Sequence, residues 1–343
     1  MPEAMAHRVV IRRPGPPEVL HHEGWALADP DPGMVQVRVQ YAGINFADIM
    51  MRMGLYPDAP KTPFVPGYEI AGEVAEVGDG VSGFEEGDRV MAVTRFGGYT
   101  SRKDVAAEEL IKLPKALPTK EAAALPVNYL TAWIALHRMA RVTKGDRVLI
   151  HGGAGGVGLA AVAMAQLAGC DVHATAGGPQ KCAFLEERGV AAHDHTSLDW
   201  RERAKEATGG GFDRVLDPIG GAHTKQSLRM LAPGGLVVGY GASELAPGLR
   251  RNPVKAVRGL AQMRLGTPGL MNHNTGFVGL NLLHLWKDDP DGVRADFETI
   301  AKLVVRGKLP LPHIAATFDL ERAGDAHRFI QDRRNIGKVL LRT

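Results

Sequence analysis

The stretch Val148-Leu149-Ile150-His151-Gly152-Gly153-Ala154-Gly155-Gly156-Val157-Gly158 leaves this chain few folds to choose from. The apolar run Arg147–His151 follows the turn Lys144-Gly145-Asp146 and reads as a buried strand. Gly153, Gly155 and Gly158 then stand at G-x-G-x-x-G spacing, with Gly156 and Val157 between them. Val157 to Leu167 is apolar nearly all round, as suits a helix packed on a sheet. Each glycine has a use. One permits the tight strand-to-helix turn, the next lets backbone approach a pyrophosphate, and the third lets helix lie close on strand. The helix N-terminus adds unpaired N–H groups and partial positive charge. Such a spacing alone is weak. With a strand before it, a helix after it and a second strand near Asp171–Ala176, it reads as a dinucleotide turn rather than a merely structural one.

The nearly apolar run Val148–Cys170 could be taken for a membrane span, but its glycines and its place between two strand patterns favour a core helix. A chain of 343 residues exceeds one ordinary core, so two domains are expected. Hydrophobic residues at 45%, charged residues at 23% and a net charge of +3 fit a soluble globular protein and exclude a nucleic-acid binder unless the charge is clustered. Met1–Gly15 has no apolar signal core, and the two cysteines, Cys170 and Cys182, form no disulfide or metal framework. A cytoplasmic protein is expected.

Before residue 120 the chain is rich in strand patterns broken by Pro and Gly. Val35, Val37 and Val39 alternate with Gln36, Arg38 and Gln40, and turns such as Glu86-Gly87-Asp88 recur. This predicts an antiparallel, barrel-like domain. After a helix-rich hinge from Glu121 to Met139, strands alternate with helices. Strands are expected at Arg147–His151, Val172–Ala176, Arg214–Asp217, Gly235–Tyr240 and Thr275–Leu280, in doubly wound α/β order. The last part carries helices at Ala295–Arg306 and Arg322–Gln331 and a strand at Lys338–Leu341, expected to return to the first domain.

Five motifs occur in order along nearly the whole chain: Gly43-Ile44-Asn45-Phe46-Ala47-Asp48, Pro66-Gly67-Tyr68-Glu69-Ile70-Ala71-Gly72-Glu73-Val74, Gly87-Asp88-Arg89-Val90, Ala154-Gly155-Gly156-Val157-Gly158 and Asn335-Ile336-Gly337-Lys338-Val339. With them the chain resembles the zinc-less quinone oxidoreductases of the medium-chain dehydrogenase/reductase superfamily. Asp217-Pro218-Ile219-Gly220-Gly221 and the basic stretch after Tyr240 most resemble the vesicle-amine-transport-protein homologue subgroup. The resemblance implies an α/β fold in which a Rossmann-type doubly wound parallel sheet (128–285) is inserted into a GroES-like, β-rich, partly open barrel (1–127, with 286–343 returning to it). It also implies a homodimer joined through the last strand of the nucleotide domain.

Zinc-dependent relatives carry Cys where this chain has Asn45 and His where it has Tyr68. Zinc needs three or four N, S or O ligands at tetrahedral reach, and none of the thirteen histidines forms an H-x-x-x-H or H-E-x-x-H pair. No metal is expected, with Asp48 and Glu69 left as ion-pair or hydrogen-bond partners. Without a Lewis acid, substrates that accept hydride readily are favoured over alcohols. At the end of the second nucleotide-domain strand, Thr175-Ala176-Gly177-Gly178-Pro179-Gln180-Lys181 offers no acid for a ribose 2′-hydroxyl. Lys181 matches the family's phosphate-binding lysine, so the cofactor is expected to be NADPH. The family's serine and tyrosine near that phosphate are here Gly177 and His195. Around the nicotinamide the resemblance implies Asn45, Asn128 and Thr131, backbone at Gly241 and Phe277–Gly279, and Asn335 closing the pocket. Asn128 and Thr131 stand one helical turn apart, so one helix face presents both. Asn45, Thr131 and Tyr56 are the candidates for catalysis, Tyr56 as a phenol proton donor; the plain alternative for each is a capping, core or packing role.

Arg250, Arg251, Lys255, Arg258 and Arg264 form a basic run beside an apolar stripe. It reads as a surface helix, a lid or an interfacial helix, and Pro253 and Gly259 argue against membrane contact. Two functions stay open. One is an NADPH-dependent reductase of quinones or α,β-unsaturated carbonyls. The other is an NADPH-binding module with little or no reductase activity that contacts lipid or protein partners.

Overall fold

A computed structural model describes residues 5–246, 248 and 266–343, so the basic run Arg250–Arg264 lies outside the described residues. They divide into two compact units: 5–127, 248 and 312–343 in the first, 128–246 and 266–311 in the second. The return to the first unit therefore begins at 312, not at 286 as the sequence suggested. The reason is local. The helix Pro290–Val305 buries Val293, Phe297, Ile300 and Val304. At its N-terminal end Asp289 and Asp296 both pair with Arg138, and Asp296 accepts from Trp133 Nε1 at 3.1 Å.

The first unit carries strands β1 (Met5–Ile11), β2 (Leu20–Ala26), β3 (Met34–Ile44), β4 (Glu69–Val77), β5 (Arg89–Val93), β6 (Arg102–Ala106) and β7 (Leu110–Lys112). The second carries β8 (Arg147–Ile150), β9 (Asp171–Ala176), β10 (Ala191–Asp194), β11 (Phe212–Asp217), β12 (Leu231–Gly239) and β13 (Gly276–Gly279). β14 (Ile314–Asp319) and β15 (Lys338–Arg342) close the chain in the first unit.

β3 organises the first unit. It pairs antiparallel with β4, β6 and β15 in a seven-stranded sheet ordered β14-β15-β3-β4-β5-β7, while β1 and β2 form a separate hairpin. Register shifts at Gln36/Val37 and Val39/Tyr41 bend β3, as bulges do, and let one strand serve three partners. Val35, Val37 and Val39 face the core as the alternation predicts. Gln36 is buried too, because its amide donates to Ala28 O at 3.0 Å and to Asp104 Oδ1 at 3.3 Å. The order β15-β3-β4 also sets Lys338, Asn45 and Glu69 at one end of three neighbouring strands.

The second unit is a six-stranded parallel sheet ordered β10-β9-β8-β11-β12-β13, the doubly wound order that reverses between β8 and β11. This is the Rossmann-type sheet expected. Its first strand–helix unit is β8, the glycine turn and the helix Gly156–Leu167. Beyond β9 comes the helix Pro179–Glu186, then the short β10, which the sequence reading did not foresee. Among the described residues no helix is long and apolar enough to cross a membrane.

Candidate active site

The glycine turn is shaped by contacts that leave no room for side chains. A Cβ on Gly153 would stand 2.5 Å from Ala174 Cβ, and one on Gly158 would stand 2.3 Å from Gly152 O and 2.7 Å from Gly153 Cα. One on Gly156 would meet Asn128 Nδ2 at 2.2 Å. Gly155 is different: φ is −81°, ψ is 174°, and its Cβ would meet only Gly152 O, at 3.3 Å. Ala174 and backbone therefore require Gly153 and Gly158, the Asn128 side chain limits Gly156, and Gly155 is confined only by Gly152 O. The turn is tied to β9 by Gly153 N donating to Thr175 O at 2.9 Å and Gly152 N to Thr175 Oγ1 at 3.3 Å. Val157 lies in the first turn of the helix that Gly155 caps.

Gly177 follows β9, with His195 Nε2 3.2 Å from where its Cβ would be. His195 N donates to Ala176 O at 3.0 Å, which fixes that neighbourhood. Lys181 lies in the first turn of the helix Pro179–Glu186. The segment Thr175–Lys181 carries no acid, but the neighbouring strand brings one beside it. Asp194, at the end of β10, accepts from Gly178 N at 3.0 Å, Thr196 N at 2.9 Å and Thr196 Oγ1 at 2.7 Å. The Thr196 and Gly178 N–H donors hold its carboxyl below the usual range. Parallel pairing sets Asp194 beside Ala176, a neighbour that lies 18 positions away in the chain and so escaped notice.

Asn128 and Thr131 share the helix Pro126–Trp133 and are 4% and 7% exposed. A π-helical stretch, Ile134–Met139, continues it, a widening often found near functional sites. Gly241 passes close to Pro218, whose O would stand 2.4 Å from a Cβ there. Phe277 lies over Gly239 and packs on the sheet core, while Gly279 is exposed with nothing within 4 Å of a Cβ position.

Where the sheet order reverses lies a cluster the sequence reading passed over. His151 is 1% exposed; its Nδ1 is 3.1 Å from Thr175 Oγ1, and burial drives its pKa down to about 3. Its ring meets those of His223 and Trp200 edge to face. Asp217 accepts from Ile219 N, Thr224 Oγ1 and Ser227 Oγ. Burial works against its ionised form, but His223, His151 and the Ile219 N–H hold its carboxyl below the usual range.

The first unit holds the other group of candidates. Asn45 precedes the helix Phe46–Arg52, donates through Nδ2 to Glu69 Oε1 at 2.9 Å and accepts at Oδ1 from Lys338 Nζ at 2.6 Å. Lys338 also pairs with Glu69, whose Oε2 accepts from Val127 N at 2.8 Å. Lys338 and Glu69 side chains are 3% and 0% exposed. Gly43 makes the space, since a Cβ there would stand 2.3 Å from Glu69 Oε1. Lys338 stands inside the last sequence motif, where its only signal is a charge opening the apolar strand Lys338–Leu341. Tyr56 is half-buried and stacks edge to face on Tyr68, which also meets Phe96; burial raises the pKa of both phenols, so both remain protonated donors. Asn335 donates to Gly337 O at 2.9 Å within its own turn.

Asp48 is fully buried, and its two oxygens accept from Asn45 N at 2.8 Å and Gly67 N at 3.0 Å. Burial pushes its carboxyl up to about 7 against the pull of the Asn45 donor, Lys338 and the Gly67 donor. Asp48→Asn turns an amide N–H toward one of these donors and is expected to cost about 1–3 kcal/mol, read by urea unfolding. Among the described residues, no group of three or more His, Cys, Asp or Glu side chains is placed to hold a metal ion.

Comparison with known proteins agrees with this architecture. The model for the alcohol dehydrogenase GroES-like domain matches residues 31–115, and that for zinc-binding dehydrogenase matches residues 189–341. The chain is 36% identical over 315 residues to the human synaptic vesicle membrane protein VAT-1 homolog, covering 91% of this chain and 79% of that protein. The structure is similar to an Escherichia coli quinone oxidoreductase complexed with NADPH (TM-score 0.85, 29% identity, 98% of this chain and 100% of that one). It is also similar to the CurK enoyl reductase (TM-score 0.84, 27% identity, 99% of each). The chain belongs to the medium-chain dehydrogenase/reductase superfamily of oxidoreductases, and its likeness to the VAT-1 homologues is consistent with that subgroup.

Proposed function

We propose that this protein is a zinc-independent, NADPH-dependent oxidoreductase that reduces a quinone or an α,β-unsaturated carbonyl. The observation that carries the reading is Gly155: its backbone, at φ −81° and ψ 174°, is one any residue adopts, and a Cβ there would meet only Gly152 O at 3.3 Å, at the N-terminus of a 12-residue helix. A pyrophosphate lying against backbone there meets N–H groups and the helix dipole. Gly156, Val157 and Gly158 supply the first of these N–H groups, and Gly153 lets the turn lie against β9. Lys181, with His195 beside Gly177, would hold the 2′-phosphate. Asn128 and Thr131 would bind the nicotinamide, with backbone at Gly241, Phe277 and Gly279. NADPH, when bound, supplies the hydride.

The residues at the metal position argue for chemistry without zinc. Asn45 and Tyr68 are poor zinc ligands, and the cation that Glu69 meets is the Lys338 ammonium. Asn45 and Tyr56 would offer N–H and O–H donors to a substrate carbonyl, polarising it in place of a Lewis acid. The quinone oxidoreductase and enoyl reductase structures similar to this one set the substrate classes worth testing.

The test is a panel of quinones and enones with NADPH, following loss of its absorbance against an enzyme-free control. NADPH-dependent turnover of at least one member, unchanged by a zinc chelator, is expected. Tight NADPH binding with no turnover across the panel would point instead to a binding module.

A further inference from the structure

We infer that Lys338 is a positioning residue, which fixes the direction in which the Asn45 amide presents its remaining donor. The inference rests on the functional reading only in taking Asn45 as the substrate-side donor.

An asparagine amide has two nearly isosteric ends, and its hydrogen-bond partners decide which end points where. Here the partners leave no choice. An ammonium can only donate, so the Asn45 end facing Lys338 Nζ, 2.6 Å away, is the carbonyl oxygen. A carboxylate can only accept, so the end facing Glu69 Oε1, at 2.9 Å, is the NH2. Lys338 and Glu69 also pair with each other, which closes a three-membered ring of contacts. Turning the amide over would set donor against donor and acceptor against acceptor at once, in a place where Lys338 and Glu69 are shielded from water.

The supports of the ring are equally fixed. Glu69 is anchored through its other oxygen to Val127 N at 2.8 Å, and Asn45 N is held by Asp48 at 2.8 Å. Lys338 N donates to His313 O at 2.8 Å. The three residues lie far apart in sequence, Lys338 standing 293 positions from Asn45, so the device exists only because β15, β3 and β4 are neighbours. One N–H of the Asn45 amide remains outside the ring, and its sense is set by Lys338 together with the Asp48 N–H that the capping box turns toward the Asn45 side chain.

Lys338→Met alone would bury Glu69 without its counter-charge and threatens the fold. The double variant Lys338→Met/Glu69→Gln removes both charges. The amide that replaces the Glu69 carboxylate keeps its oxygen on Val127 N, so its NH2 faces Asn45 and, with the Lys338 ammonium gone, the Asn45 amide is free to turn its oxygen toward it. Two readouts follow: steady-state kinetics with the best substrate of the panel, and the side-chain NH2 resonances of Asn45, identified by their absence in Asn45→Asp.

In the folded double variant kcat is expected to fall by about a hundredfold, the scale set by a misplaced reacting geometry, with NADPH affinity within about twofold of wild type. The Asn45 NH2 pair, distinct and slow to exchange in wild type, is expected to shift as the amide turns over. Wild-type kcat in the double variant, or an Asn45 pair unchanged from wild type, would overturn the inference. If wild-type protein turns over nothing, the functional reading falls, and the Asn45 resonances alone decide for or against Lys338.

Discussion

Gly155→Ala is expected to weaken NADPH binding by roughly tenfold or more while leaving the fold close to wild-type stability, whereas Gly158→Ala damages the fold itself. The two glycines stand three positions apart in one motif, yet their surroundings differ. The Gly155 backbone, at φ −81° and ψ 174°, is one any residue adopts, and its added methyl would press only on Gly152 O at 3.3 Å. A small relaxation accommodates it, so a loss of under about 1 kcal/mol is expected, as for a mild surface substitution. The same methyl occupies the side from which a pyrophosphate would reach the helix N-terminus. Losing one or two charge-assisted bonds there, at about 1.5–3 kcal/mol each, weakens binding by roughly tenfold to well over a hundredfold.

At Gly158 the methyl would meet backbone, 2.3 Å from Gly152 O and 2.7 Å from Gly153 Cα, which cannot rotate away. The helix Gly156–Leu167 must then part from the turn at Gly152 and Gly153, at a cost of about 1–3 kcal/mol or more from overpacking. Urea unfolding and calorimetric titration with NADPH separate the two effects. Unimpaired NADPH binding by a stable Gly155→Ala protein would remove the main support for the phosphate turn.

The parts of this molecule legible in the sequence are those whose signal is local. The β8–turn–helix unit could be read because an apolar run, three spaced glycines and a helical apolar stretch follow one another without a gap. The β-rich style of the first unit came through the alternation of Val35, Val37 and Val39. What escaped depends on partners distant in the chain. β10, Ala-Ala-His-Asp, is too short and too polar to announce a strand; it exists because β9 offers an edge to pair with. Asp194 could not be placed next to Gly178 until that pairing was known. Lys338 was in view within a motif, but nothing near it in sequence shows that its ammonium meets Asn45 and Glu69 across the sheet. The helix Pro290–Val305 joins the nucleotide-domain unit because Asp289 and Asp296 meet Arg138, an ion-pair network that no periodicity reveals.

Asp194 sharpens the second large expectation, that Lys181→Ala will weaken NADPH by roughly ten- to hundredfold and leave NADH almost unchanged. A carboxylate near the end of β9 would by itself favour a ribose 2′-hydroxyl and repel a 2′-phosphate. Asp194 departs from that pattern in its commitments. Its Oδ1 already accepts from Gly178 N, Thr196 N and Thr196 Oγ1, so the carboxylate serves to fix the turn that leads into the helix Pro179–Glu186. Its charge is partly exposed and screened within about 8 Å at physiological salt. A lysine that reaches the phosphate directly, through a charge-assisted bond of about 1.5–3 kcal/mol, outweighs such a neighbour. Removing the lysine leaves the carboxylate unopposed, so the preference between the two cofactors should narrow or reverse, and more so at low salt. Measured affinities for NADPH and NADH in wild type, Lys181→Ala and Asp194→Asn decide the matter. Equal losses for both cofactors in Lys181→Ala would place the 2′-phosphate elsewhere. A wild-type preference for NADH that Asp194→Asn abolishes would make Asp194, not Lys181, the residue that reads the ribose.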